Sequence, residues 1–164
     1  SIGLLLANSP IHYVKLVNNA SLTVGPIILQ YPFYAGIMGI MSDTGLIKIL
    51  ADGIASIATS ETLGFFAFLS GGLVNMFIPS GGGQWAVQGP VMIEAAQTLD
   101  VKPYVIVLSV AYGDQWTNMI QPFWTIPLLA IAGLHMRQIM GYTFVIFIVT
   151  GVIYGSSVLF LGSG

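Results

Sequence analysis

Two stretches decide the fold of this chain: Pro79-Ser80-Gly81-Gly82-Gly83-Gln84-Trp85-Ala86-Val87-Gln88-Gly89-Pro90 and Gly113-Asp114-Gln115-Trp116-Thr117-Asn118-Met119-Ile120-Gln121-Pro122. Both are polar and contain glycine, and both lie inside sequence that is otherwise apolar. Backbone inside a lipid bilayer must satisfy its own hydrogen bonds, so non-helical segments persist there only when protein buries them or when they line a cavity. The two stretches therefore predict two helix breaks that form a binding site.

The composition is that of a membrane protein. Of 164 residues, 55% are hydrophobic and 6% are charged, whereas a soluble domain carries about 25% charged residues. The net charge of −2 comes without a basic run, so nothing indicates a nucleic-acid partner. The chain has no cysteine, which excludes disulfides and thiolate metal sites, and no His and Glu set has metal-site spacing.

The first residues predict that the chain is a fragment. The stretch from Ser1 to Ala7 is apolar, without an initiating Met or a basic region, so it is not typical of a signal peptide. It is typical of the last turns of a helix whose beginning is missing, and we expect a portion of a larger, transporter-like protein. The alternative is the hydrophobic terminus of a complete small protein.

The apolar and polar patterns divide the chain into six helical segments. Ser9 and Pro10 are typical of a helix start, and Gly151 and Gly155 are spaced for close packing against a neighbouring helix. We predict interfacial helices at 8–21 and 43–60, transmembrane helices at 22–41 and 140–161, a re-entrant hairpin at 62–99 and a broken transmembrane helix at 104–134. The predicted class is thus an all-α polytopic membrane protein.

Segment lengths give the hairpin and the broken helix. After the apolar run to Ile78, only ten residues from Pro90 to Leu99 are helix-like, and at about 1.5 Å per residue they cannot cross about 30 Å of hydrocarbon. We therefore expect a turn at Ser80–Gly89 and a return to the same side. Tyr104–Leu134 is 31 residues long, too long for one straight span, and contains the second break. The positive charges do not decide the orientation.

The first break is predicted to bind an anion. Ser80, Gly81, Gly82 and Gly83 offer consecutive backbone N–H groups before a helix, where the helix dipole also favours negative charge. Neighbouring side chains add neutral donors, and Trp85 is the aromatic residue that we expect to face a substrate. The alternative is that the glycines only allow a tight hairpin tip. The predicted substrate-binding residues here are Ser80, Gly81, Gly82, Gly83, Gln84, Trp85 and Gln88.

The second break is predicted to bind a cation. Asp114 lies deep in the long apolar segment, where an acid costs about 2.5–3.5 kcal/mol unless it is paired or hydrated. Asp114, Thr117 and Asn118 supply oxygens for Na⁺, and Thr117, Asn118 and Gln121 are also predicted to contact substrate. The alternative is that Asp114 caps a second half-helix. Because neither break contains Lys or Arg, an anionic substrate beside Asp114 requires a coupled Na⁺ or H⁺.

Three motifs closely resemble the bacterial short-chain fatty acid transporter family: Gln30–Met41, Pro79–Pro90 and Gly113–Trp124. The resemblance runs from about residue 4 to 161 and identifies the chain as a C-terminal portion. It implies secondary transport of acetoacetate, butyrate and similar monocarboxylates by alternating access in the bacterial inner membrane. The family is grouped with an ion transporter superfamily of two inverted repeats. This chain would hold one repeat, with Ser80–Gln84 as hairpin tip and Asp114–Asn118 unwound.

Other functions on the same architecture stay open at this stage. Asp114 could serve a Na⁺/H⁺ exchange or ion-conducting module without an organic substrate, and a non-transporting membrane subunit is a further alternative. A hydrolase pair of Ser80 and His135 has little support because of its glycine context, so we expect no enzyme and no cofactor beyond the coupling ion. The expected partners are a short-chain carboxylate, the bilayer and the missing N-terminal half of the protein, and a second copy in a homo-oligomer is a further candidate.

Overall fold

The computed structural model describes residues 2–22 and 24–162, and in this part of the chain all regular structure is helical. This confirms the predicted all-α class. The helices are α1 (Ile2–Leu6), α2 (Pro10–Ser21), α3 (Gly25–Asp43), α4 (Leu46–Ile57), α5 (Leu63–Asn75), α6 (Gly81–Thr98), α7 (Pro103–Asn118), α8 (Pro122–Ala132) and α9 (Met136–Gly162).

Helices α5 and α7 form the centre of the fold and run in the same direction. Glycines let them approach closely: a Cβ at Gly71 would lie 2.8 Å from the Val110 carbonyl oxygen, and one at Gly113 would lie 2.7 Å from the Gly72 nitrogen. The pairing of Gly64 with Val105 near the start of both helices fixes the parallel direction. Small residues at this interface therefore hold the two breaks at the same end of the helix pair.

Helix α6 returns antiparallel to α5, so the two form a helical hairpin. Gln84 near the start of α6 contacts Gly71 near the end of α5, while Met92 and Ala96 pack with Leu63 and Ala67 in one buried cluster. The hairpin shape agrees with the sequence analysis. Whether the hairpin is re-entrant in a membrane stays a prediction.

The predicted turn at Ser80–Gly89 is wrong. The non-helical segment is shorter and lies earlier, from Met76 to Ser80, and the glycines form the first turn of α6. Their low helix propensity favours a turn in an isolated sequence. Here Ser80 caps the helix and Gln84 anchors it to α5, and these contacts outweigh the local preference.

The predicted unwinding at Asp114–Asn118 is also wrong. These residues form the last turns of α7, and the break before α8 lies at residues 119–121. Polar side chains at these positions are typical of a helix break. Here they lie in a helix, and Asn75 of α5 donates to the Asp114 carbonyl and to Thr117 Oγ1. The segment predicted as one broken helix thus contains two helices, α7 and α8. The break between them lies after the predicted Asp114–Asn118.

Helix α9 packs against the central pair through the predicted small-residue spacing. Gly151 lies against the indole of Trp116, and Gly155 lies against the ring of Phe65. The packing role of Gly151 and Gly155 is confirmed. The opposite side of α9 is apolar and exposed, and Met136–Leu161 is long and apolar enough to cross a bilayer.

Of the N-terminal helices, α4 packs against the α5–α6 hairpin, α3 packs against α4 and α8, and α1 contacts α2. Ser9 caps α2 as predicted, accepting a hydrogen bond from the His12 N–H at 3.1 Å. Helices α3 and α4 meet at a bend of 60° and satisfy the length and apolarity of one membrane span only as a pair. Among the described residues, α9 is the helix that satisfies this test alone. The interfacial positions of segments 8–21 and 43–60 stay predictions.

Candidate functional site

The first break and the end of α7 meet in this chain. A Cβ built at Gly81, the first residue of α6, would lie 3.8 Å from Asp114 Oδ2 and 4.0 Å from Oδ1. The carboxylate of Asp114 therefore lies beside the N-terminus of α6. Gly81 of the predicted anion site and Asp114 of the predicted cation site thus lie side by side.

A cavity of about 430 Å³ opens at this meeting point. Among the described residues that line it, Asp114 is the charged one and none is Lys or Arg. Trp85 provides an aromatic wall, so the space is apolar on one side and polar where Gly81 meets Asp114. The lining residues are Gly81, Gln84, Trp85, Val107, Val110, Ala111, Asp114 and Gln115.

The N-terminus of α6 has the geometry of an anion site. Ser80 is extended (φ −149°, ψ 103°), and its hydroxyl accepts from the Gly83 N–H at 3.4 Å while its carbonyl accepts from the Gln84 N–H at 2.8 Å. The N–H groups of Gly81 and Gly82 lie in the first turn, where a helix supplies no acceptor for them. Together with the helix dipole, they favour a negatively charged group at this end.

The two carboxylate oxygens of Asp114 have different surroundings. Oδ2 accepts a hydrogen bond from Asn118 Nδ2 at 3.3 Å. Oδ1 is buried and has no hydrogen-bond partner among the described residues. The carboxylate is therefore held in place through one oxygen while the other keeps its full capacity to accept.

Gln84 also leaves one buried oxygen unpaired. Its Nε2 donates to the Gly71 carbonyl at 2.9 Å and to Gln88 Oε1 at 3.0 Å, and its Oε1 has no partner in the described part of the chain. A backbone carbonyl only accepts, so the contact with Gly71 fixes which way the amide points. Gln84 is 1% exposed and lines the cavity, which makes its Oε1 a candidate ligand atom.

Gln88 does not line this cavity, contrary to its expected role. It is fully buried, its Nε2 donates to Ser70 Oγ and its Oε1 accepts from Gln84. Both ends of this amide are thus used in packing α6 on α5. We place Gln88 in the helix interface and not in the site.

Asn75 is a residue that the sequence analysis missed. Its Nδ2 lies 3.0 Å from the Asp114 carbonyl, 2.9 Å from Thr117 Oγ1 and 2.9 Å from Asn118 Oδ1. It therefore ties the end of α5 to the last turn of α7. The signal available in the sequence was an amide side chain near the end of the apolar run before Pro79, and the structure buries it fully.

Gln121 lies at the second break and donates hydrogen bonds to backbone carbonyls. Its Nε2 donates to the Asn75 carbonyl at 2.9 Å and to the Met76 carbonyl at 3.2 Å, which are end groups of α5. Its Oε1 accepts from the Tyr34 hydroxyl at 3.0 Å. Gln121 is fully buried and does not line the cavity beside Asp114.

The tryptophans at the second break are packing residues. Trp116 stacks on Phe68 and Phe147, with ring centroids 4.9 and 4.4 Å apart, and its Nε1 donates to the Phe147 carbonyl. Trp124 donates to Asn118 Oδ1 at 3.1 Å. Trp85 lines the cavity with Asp114, whereas Trp116 and Trp124 do not.

A second cavity, of about 280 Å³, lies on the other side of the α6 N-terminus. Its walls are mostly apolar and aromatic, with Ser80 and Gly83 at the boundary with α6. The lining residues are Tyr31, Tyr34, Ala35, Met38, Ile78, Pro79, Ser80, Gly83 and Phe123. The start of α6 therefore separates two cavities.

Comparison with known proteins gives a consistent family match. A family profile described as short chain fatty acid transporter matches residues 1–161. The chain is 43% identical over 152 residues to a protein of Escherichia coli strain K12, covering 93% of this chain and 34% of that protein. It is 38% identical over 159 residues to a protein of Haemophilus influenzae, covering 97% of this chain and 36% of that protein.

Both relatives carry names that provisionally assign them to short-chain fatty acid transport. The chain spans about a third of their length. No solved structure matches the chain.

Proposed function

The chain belongs to the short-chain fatty acid transporter family, and we propose that the intact protein carries short-chain fatty acids such as acetoacetate and butyrate across the bacterial inner membrane. A membrane protein with this role is not an enzyme, so the described site binds and releases its substrate unchanged. The observation that carries the proposal is the cavity where the α6 N-terminus meets Asp114.

The cavity suits a small monocarboxylate. In the proposed pose, the substrate carboxylate accepts from the Gly81 N–H, and the acyl tail lies against Trp85, Val107 and Ala111. Ligand sites are mostly apolar with a few polar groups that fix orientation, and this cavity has that composition. Gln121 and Gln88, whose amides are engaged elsewhere, are not part of this pose.

Transport of an anion through this site requires a coupled cation. Two carboxylates about 4 Å apart repel by about 4 kcal/mol at an effective dielectric constant of about 20. Among the described residues the cavity wall contains Asp114 and neither Lys nor Arg, so these residues do not offset the repulsion. We therefore propose that Na⁺ or H⁺ enters with the acid and neutralises the site.

Alternating access gives the helices their roles in this proposal. The α5–α6 hairpin acts as a re-entrant element, and α7 and α8 act as a broken span in a multi-pass membrane protein. The apolar faces exposed on α3, α8 and α9 then contact lipid, the rest of the protein or a second copy.

A matched pair of glycine variants tests this function. In the intact protein in proteoliposomes, Gly81→Ala adds a methyl group 3.8 Å from Asp114 Oδ2, whereas a Cβ at Gly82 meets nothing within 4 Å. We expect butyrate and acetoacetate uptake to fall at least fivefold in Gly81→Ala and less than twofold in Gly82→Ala. Equal loss in both variants would contradict the proposed pose.

The same assay separates the alternative functions. An exchange module would move Na⁺ or H⁺ in wild type with no uptake of labelled acid, and a structural subunit would show neither flux. Uptake of the acid that stops in Asp114→Asn supports the transporter. Uptake that ignores both the Na⁺ and the H⁺ gradients would contradict ion coupling.

A further inference from the structure

We infer that Asp114 Oδ1 and Gln84 Oε1 form a binding site for Na⁺ within the cavity, and that this ion bridges the protein and the substrate carboxylate. The inference rests on the proposed transport function and names the atoms that hold the coupled cation. It replaces the expected ligand set of Asp114, Thr117 and Asn118.

The two oxygens share a property that points to a cation. Both are buried, both have no hydrogen-bond partner among the described residues, and both belong to residues that line the same cavity. An unpaired buried acceptor costs about 1–3 kcal/mol, so two such acceptors on residues of one cavity wall favour a ligand that attracts oxygens. Carboxylate and amide carbonyl oxygens are the ligands that hard cations prefer.

The orientation of each group is fixed by a hydrogen bond to its other polar atom. The Gly71 carbonyl holds Gln84 Nε2, which directs Gln84 Oε1 away from α5. Asn118 Nδ2 holds Asp114 Oδ2, which leaves Asp114 Oδ1 as the available oxygen. A site whose ligands are held by a surrounding shell loses little conformational entropy when an ion binds.

Thr117 and Asn118 are poor candidates because their oxygens are already engaged. Thr117 Oγ1 lies 2.9 Å from Asn75 Nδ2, and Asn118 Oδ1 lies 2.9 Å from the same Asn75 nitrogen and 3.1 Å from Trp124 Nε1. These contacts make both residues supports of Asp114 instead of ligands. Their proposed role is to position the carboxylate.

The remaining coordination positions belong to the transported acid and water. A substrate carboxylate at the Gly81 N–H lies beside Asp114 and can supply a further oxygen to Na⁺. The ion then offsets the repulsion between the two carboxylates. By linkage, Na⁺ raises the affinity for the acid and the acid raises the affinity for Na⁺ by the same factor.

The first test measures Na⁺ binding without transport. Thermal unfolding of the purified intact protein is followed in NaCl and in choline chloride at constant ionic strength, with and without butyrate. We expect a Na⁺-dependent rise in the midpoint, since a ligand of the native state stabilises it. Butyrate should lower the Na⁺ concentration that gives half of this rise at least threefold.

Two matched substitutions assign the ligands. Gln84→Leu removes the proposed ligand, while Gln88→Leu removes a neighbouring, fully buried amide that lines no part of this cavity. Both lose packing hydrogen bonds, but only Gln84→Leu should raise the half-saturating Na⁺ concentration, by at least tenfold. Asp114→Asn, which keeps the side-chain volume, should do the same and provides a second reading if Gln84→Leu does not fold.

The outcomes separate this inference from the proposed function. Acid uptake that follows the H⁺ gradient alone, with no Na⁺ effect on unfolding, overturns the Na⁺ site and leaves the transporter intact. A Na⁺ effect that Gln84→Leu and Asp114→Asn leave unchanged also overturns it. Na⁺ binding that depends on both residues, in a protein that takes up no short-chain acid, supports the ion site and rejects the proposed function.

Discussion

Both helix breaks were predicted to form a binding site, and the structure gives their polar atoms different surroundings. At the first break, between α5 and α6, Gly81 lines a cavity with Asp114, and Gln84 Oε1 and Asp114 Oδ1 have no hydrogen-bond partner among the described residues. At the second break, between α7 and α8, Gln121 bonds the end carbonyls of α5 and the hydroxyl of Tyr34. A polar break is therefore a candidate site only where its polar atoms lack protein partners.

The two breaks lie at the same end of the fold because α5 and α7 pack closely at their glycines. Gly113→Ala places a Cβ against the Phe68 carbonyl oxygen and 2.7 Å from the Gly72 nitrogen, so α5 and α7 must separate. We expect a loss of about 1–3 kcal/mol or more, seen as a low yield of monodisperse protein in size-exclusion chromatography. Gly82→Ala is the control, and normal yield in Gly113→Ala would show that the helices do not approach this closely.

The second break should be structural. Gln121→Leu leaves the carbonyls of Asn75 and Met76 without their side-chain donor, which costs about 1–3 kcal/mol of stability. The thermal midpoint should fall while the KM for butyrate changes less than twofold. The same change at the exposed Gln97 is the control. A large KM change with an unaltered midpoint would instead assign Gln121 to substrate binding.

A tryptophan near each break allows a test of which break contacts the acyl tail of the substrate. Trp85→Ala enlarges the cavity at the first break, so longer acids gain buried surface at about 0.8 kcal/mol per methylene, or about fourfold per carbon. We expect the kcat/KM ratio of hexanoate to butyrate to rise roughly tenfold. Trp124→Ala, at the second break, should leave the ratio unchanged, and a similar rise in that variant would move the acyl site.

The smallest expected effect is the loss of the hydrogen bond that the Tyr34 hydroxyl donates to Gln121. Tyr34→Phe removes one hydrogen bond of 3.0 Å and should cost about 0.5–1.5 kcal/mol, measured as a lower thermal midpoint. Tyr31→Phe is a close control because both rings pack edge-on against Phe123, at centroid distances of 5.2 and 5.0 Å. Equal midpoints in the two variants would show that the Tyr34 hydroxyl does not stabilise this break.

Local sequence patterns predicted the elements that depend on local chemistry. The Ser9 cap and the packing of Gly151 and Gly155 were predicted because a side chain one turn away, or a repeat of small residues, is visible in the sequence. The placement of Gly81–Gly83 in a helix was not predicted. It depends on the contact between Gln84 and Gly71, and this contact exists only once the hairpin has formed.

The sequence predicted several residues of the site but not the hydrogen-bond partners of those residues. Asp114 and Gly81 were both expected in a binding site, and the structure brings them together. Asn75 was missed because its partners are on α7, more than 35 residues along the chain. Pairing of this kind decides which amides are engaged and which oxygens stay available, and periodicity within one segment carries no information about it.

The most direct test compares substrate protection at the two breaks. Ala111→Cys lines the cavity at the first break, and Ile120→Cys lines a separate cavity of about 240 Å³ at the second. In an otherwise cysteine-free version of the intact protein, the rate of labelling by a small thiol reagent is measured with and without saturating butyrate. We predict at least fivefold slower labelling at Ala111→Cys and no change at Ile120→Cys. Protection at Ile120→Cys with none at Ala111→Cys would contradict the assignment of the substrate to the first break.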